Sequence, residues 1–91
     1  MKVTNDELLN EVLMGLQHPI EDSEDVIPTV RQKIRVVKSF LQGAGASEEA
    51  LNSDLAIGVI VMGVNDIWDL TSGRIRFSPT FFILANQLTS R

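Results

Sequence analysis

Apolar residues recur at helical spacing in three stretches of this chain, and in a fourth they run almost without a break. Leu8, Leu9, Val12, Leu13 and Leu16 make one stripe. Val30, Ile34, Val37 and Leu41 make a second at i, i+4, i+7 and i+11, and Phe81, Leu84, Ala85 and Leu88 a third. Such spacing places each set on one face of an α-helix. Between the second and third stripes, Leu55, Ala56, Ile57, Val59, Ile60, Val61, Met62 and Val64 leave almost no polar face. A helix that is apolar all round must be covered all round, by its own bundle or by another subunit.

The punctuation agrees with this reading. Thr4 and Glu7 have the spacing of a capping box, which predicts a first helix from about Asn5. His18-Pro19 ends it, because a residue before proline is pushed out of the α region. Pro28 fits the first turn of a second helix, and Gly43-Ala44-Gly45 stops that helix with residues that tolerate positive φ. Ser47 before Glu48 and Glu49 reads as an N-cap with acids on the favourable end of the dipole. The longest helix is expected from about Ser53 to Leu70, with Gly73 beyond its end. Arg74 to Phe77 alternates polar and apolar residues, as a short extended segment would, and Ser78-Pro79 opens the last helix. The expectation is a single all-α domain over residues 1–91, a small bundle of about four helices with a long apolar third helix. Gly58 and Gly63 inside that third helix each weaken it by about 1 kcal/mol relative to alanine, which points to a backbone approaching closely there.

Ninety-one residues bury a modest core, and domains of this size often gain stability from partners. The absence of cysteine excludes disulfides and thiolate chemistry, and fits a reducing compartment. The polar Lys2–Asn10 start is no signal peptide. The run Leu55 to Val64 falls short of the roughly 20 residues that span a bilayer, so a soluble protein is expected.

Charge adds a pattern that the net value of −4 conceals. Asp6, Glu7, Glu11, Glu21, Asp22, Glu24 and Asp25 are followed by a basic block of Arg31, Lys33, Arg35 and Lys38. Glu48, Glu49, Asp54, Asp66 and Asp69 are acidic again, and Arg74, Arg76 and Arg91 close the chain. A net acidic chain speaks against a dedicated nucleic-acid binder. Arg31, Arg35 and Lys38 share one face of the second helix, which suits a solvated face or an electrostatic protein interface better than a DNA-reading helix.

No constellation suggests catalysis. The single histidine, His18, sits at a helix end, where it suits the dipole better than acid–base work. Asp66 and Asp69 are three apart beside Trp68, a spacing more usual for surface or interface groups than for an acid–base pair. Gly43-Ala44-Gly45 follows a helix and not a strand, so it is a turn and not a phosphate cradle. No catalytic, metal-binding or cofactor-binding residue is assigned.

Residues 63–73 (Gly-Val-Asn-Asp-Ile-Trp-Asp-Leu-Thr-Ser-Gly), then Phe77-Ser78-Pro79 and Phe82 to Leu88, resemble the C-terminal half of phage head–tail connector proteins, also described as DNA-packaging or head-completion proteins. The order of stations matches over most of the chain: amphipathic helix, acid-rich loop, second helix, long apolar helix ending at an aromatic, short loop, Leu-rich final helix. One departure is that Trp68 is followed by Asp69 and Leu70, where many relatives carry adjacent aromatics and a basic residue. The resemblance implies a non-enzymatic virion protein, made in the bacterial cytoplasm, in a phage or prophage setting. It would form a ring of about a dozen copies. That ring would dock on the portal, extend the DNA channel, receive a downstream head-completion or tail protein, and pass DNA without sequence specificity. A ring needs two different complementary patches per subunit. The expected interface residues are Glu21, Asp22, Glu24 and Asp25 meeting Arg31, Arg35 and Lys38, together with Gly58, Gly63 and Trp68. The alternative is a small helical adaptor or DNA-binding regulator, monomeric or dimeric, with salt-sensitive affinity for nucleic acid.

Overall fold

The computed structural model describes residues 4–16, 26–68 and 76–90, and 82% of these are helical, with no strand among them. Five helices follow in order: α1 (Asn5–Gly15), α2 (Val26–Gly43), α3 (Glu48–Leu51), α4 (Asp54–Ile67) and α5 (Pro79–Thr89). The all-α expectation holds at that level. The long apolar third helix does not, since the apolar helix is fourth in order and its 14 residues are fewer than the 18 of α2.

The change of order comes from two serines. Ser47 caps α3 by accepting from the Ala50 N–H at 3.0 Å. Ser53 then ends that single turn and opens the next helix. Its hydroxyl donates to the Ala50 carbonyl at 2.6 Å and accepts from the Ala56 N–H at 3.4 Å. The capped turn after Ser47 is thereby a helix of its own, and the apolar helix opens at Ser53, where its start is expected.

The other boundaries follow their local chemistry. Thr4 caps α1, its hydroxyl accepting from the Glu7 N–H and donating to the Glu7 carboxylate, both at 3.1 Å. The second helix begins at Val26, two residues before Pro28. It ends in a Schellman motif: Gly45 takes φ 109°, its N–H reaches the Gln42 carbonyl at 3.0 Å, and the Ala46 N–H reaches Leu41 at 2.9 Å. Ala46 and Leu41 are both buried, which supplies the apolar contact that accompanies this motif. Ser78 caps α5 with Pro79 in its first turn, as its sequence predicts. His18, Asp69, Gly73, Arg74 and Ile75 lie outside the described residues, and Arg76 and Phe77 have no regular secondary structure.

The bundle is organised around α4, which packs against α1, α2, α3 and α5. Ala56, Val59, Ile60, Gly63, Val64 and Ile67 are buried there, with Val59, Ile60 and Val64 fully enclosed. Each fully buried aliphatic side chain stabilises the fold by roughly 1.5–3 kcal/mol. The stripes read from sequence meet this helix: Leu8, Leu9 and Val12 from α1, Val30, Ile34, Val37 and Leu41 from α2, and Phe81, Ala85 and Leu88 from α5. Leu84 is only partly buried at the edge of the core. All four phenylalanines gather at the α2–α5 corner. Phe77 stacks on Phe81 at 4.1 Å between centroids, and Phe40 is tilted against both.

Candidate assembly surfaces

Two surfaces and one corner result from this packing. The first surface lies between α1 and α4. Because α1 crosses one flank of α4 and α5 the other, part of the apolar helix is left facing outward. Ile57, Gly58, Val61 and Met62 form the floor of an open groove of about 510 Å³, with Met14 of α1 beside them. Glu11 and Asp66 supply its charged rim, and among the described residues no basic side chain lines it. Met14 is 82% exposed.

The two helices approach closely here. A Cβ on Gly15 would lie 2.5 Å from Val61 Cγ1, so the absence of a side chain lets α1 seat on α4. The Asn65 amide donates to the Gly15 carbonyl at 3.0 Å and to the Val61 carbonyl at 3.0 Å. It thereby satisfies an end carbonyl of α1 from the neighbouring helix.

The expected glycine pair in α4 divides. Gly63 is buried, and a Cβ there would meet Phe81 Cε1 and Val37 Cγ1, each at 2.8 Å. Its close approach is therefore within the chain's own bundle and leaves nothing for a neighbour to reach. Gly58 is exposed, with nothing within 4 Å of an added Cβ. No contact with another described residue requires glycine at that position.

The second surface is the basic face of α2. Arg31 and Arg35 are exposed and Lys38 is half-buried. They border a shallow recess with Asn5, Leu8 and Leu9 of α1. Arg31 pairs with Asp6 of the same chain at 3.5 Å, with both side chains well exposed. An exposed pair of this kind contributes about 0–1 kcal/mol. Arg35 and Lys38 make no ion pair with another described residue. The residues expected to face this block, Glu21, Asp22, Glu24 and Asp25, lie outside the described residues.

At the corner, Asp66 links the end of α4 to the start of α5. Its carboxylate accepts from both the Ser78 N–H and the Ser78 hydroxyl at 2.9 Å, while Ser78 Oγ accepts from the Phe81 N–H at 3.2 Å. The partner of Asp66 is thus twelve residues further along the chain, while Asp69 lies outside the described residues. Trp68 forms the C-cap of α4 and packs half-buried against the core.

Residue patterns alone missed the groove, the Asn65 bridge and the Asp66–Ser78 link. An asparagine and an aspartate at the end of an apolar run were the available signal. Among the described residues no group of three His, Cys, Asp or Glu side chains is placed to share a metal ion. No helix among them is long and apolar enough to cross a membrane. Comparison with protein-family models, curated proteins and solved structures found nothing that matches this chain.

Proposed function

We propose that this protein is a structural virion subunit, a head–tail connector that assembles into a ring, docks on a portal and extends the DNA channel towards the tail. The observation that carries this reading is the outward-facing part of α4. A small bundle built around an apolar helix keeps Ile57, Gly58, Val61 and Met62 in an open groove with an exposed methionine at its edge. In this reading the groove is a contact surface for another macromolecule. The separate basic face of α2 adds a second, chemically different patch. Two unlike patches are what a closed ring of identical subunits uses. The order of elements in the sequence, and its resemblance to connector proteins, say which kind of ring.

In this role the chain performs no chemistry. Its work is to present fixed surfaces: one set to its own copies around the ring, another to the portal above and to a head-completion or tail protein below. The net charge of −4 suits a channel wall along which DNA must slide without sticking.

The test is electron microscopy of the purified chain mixed with tailed-phage portal rings. The reading predicts a second ring stacked coaxially on the portal, with the central channel continuous. Portal rings that stay bare at saturating chain concentration, while the chain runs alone on a sizing column, would refute it.

A further inference from the structure

We propose that the occupant of the α1–α4 groove is α5 of a second copy of this chain, with Phe82 and Ile83 inserting over Gly58. The inference rests on the ring reading above and names the contact that would build the ring.

Three features point to this occupant. First, α5 carries an apolar projection that its own bundle covers only in part. Ile83 is 60% exposed and Phe82 46% exposed, although Phe82 rests one edge on the phenylalanine cluster. Neither residue lines the groove, so projection and groove are different surfaces of one molecule. Second, the groove has room where the projection would land. Gly58 has nothing within 4 Å of an added Cβ, and flanking Met14 and Met62 have the flexible side chains that adapt to an incoming shape. Third, the charges are complementary. Glu11 and Asp66 rim the groove, whereas Arg76, exposed two residues before the Ser78 cap, stands at the start of α5, a helix with no charged residue of its own. Acid at one patch and base beside the other favours groove to α5 over groove to groove.

Such a contact is heterologous, because each subunit offers its groove to one neighbour and its α5 to the other. Repeated, it closes into a ring or runs on as a filament.

The lack of any cysteine makes a direct test available. In a Gly58→Cys/Ile83→Cys double variant, mild oxidation should join residue 58 of one copy to residue 83 of the next. The result is a ladder of covalent multimers on a non-reducing gel, collapsed by reductant. Each single-cysteine variant should give no ladder. A double variant that stays monomeric would overturn the proposal. So would a dominant dimer from Gly58→Cys alone, which would mean that two α4 helices pack together.

A second measurement uses charge. Ile83→Glu and Gly58→Glu each change an exposed position and should keep the helical circular dichroism of the parent. Each should weaken self-association at least about tenfold. Mixed together, each still has one intact patch, so they should form a 1:1 dimer of about 20 kDa from 10.1 kDa chains. Rings that persist in both variants would discard this interface and leave the ring reading standing. A parent chain that stays monomeric at every concentration, as it would if a different protein filled the groove, would discard both.

Discussion

Gly58 and Gly63 lie five residues apart in one helix, and the same substitution at the two sites should act with opposite sign. Replacing either glycine with alanine removes backbone freedom from the unfolded chain and favours the helix by about 1 kcal/mol. At Gly58 nothing offsets that gain, because an added Cβ meets no atom within 4 Å. Gly58→Ala should therefore stabilise the monomer by about 0.5–1 kcal/mol. In a domain of this size, each 1 kcal/mol raises Tm by about 4–8 °C.

At Gly63 the same methyl would sit 2.8 Å from Phe81 Cε1, 2.8 Å from Val37 Cγ1 and 3.0 Å from Val37 Cγ2. Phe81 and Val37 are both fully buried, so neither can swing out into solvent to make room. Forcing a methyl into such a site costs about 1–3 kcal/mol. Set against the propensity gain, Gly63→Ala should lower stability by up to about 2 kcal/mol. The difference between the two variants is the cleaner quantity, since the propensity gain is common to both and only the packing penalty, about 1–3 kcal/mol, remains. The assay is urea unfolding followed by circular dichroism, at chain concentrations where light scattering gives the monomer mass, because association would add its own stabilisation. If Gly63→Ala were as stabilising as Gly58→Ala, within about 0.5 kcal/mol, the close approach of α4 to α2 and α5 would be wrong.

Three further outcomes follow from the same packing. Asp66→Ala should destabilise by about 1–3 kcal/mol in urea unfolding, because two hydrogen bonds from Ser78 lose their acceptor. Ser78→Ala added to it should cost less than the sum of the single changes, and full additivity would mean that the link does not operate. Gly45→Ala should lower stability by about 1–2 kcal/mol, because φ 109° strains any residue with a Cβ, and an unchanged denaturation midpoint would argue against the Schellman turn. Arg35→Glu should leave monomer stability within about 0.5 kcal/mol, since Arg35 is exposed and makes no ion pair with another described residue, yet weaken assembly measured by light scattering. Assembly that is identical in parent and variant at every salt concentration would remove the basic face of α2 from the interface.

The ends of the helices were legible in the sequence because they depend on neighbours a few residues away. Thr4 with Glu7, Gly45 after α2, and Ser78 with Pro79 all act where their spacing predicts. The stripes of α1, α2 and α5 were legible for the same reason, since periodicity is local. The start of the apolar helix at Ser53 was legible as well, whereas the separate turn of α3 before it was not, because it depends on one hydroxyl serving two helices at once. The apolar helix shows the deeper limit. With no polar face, its sequence carries no phase, so nothing in it says that Val59 and Val64 are enclosed while Ile57 and Met62 border a groove. Gly58 and Gly63 are likewise indistinguishable until Phe81, eighteen residues or more away in sequence, and Val37 are in place. The partner of Asp66, Ser78, comes from another element, and no local spacing announces it.

The central claim is ring assembly, and the most direct measurement is solution mass by light scattering across chain concentration and salt. The account predicts a discrete species near 120 kDa, roughly a dozen 10.1 kDa chains, that grows with concentration at the expense of the monomer. A single 10.1 kDa species at every concentration and salt would contradict it.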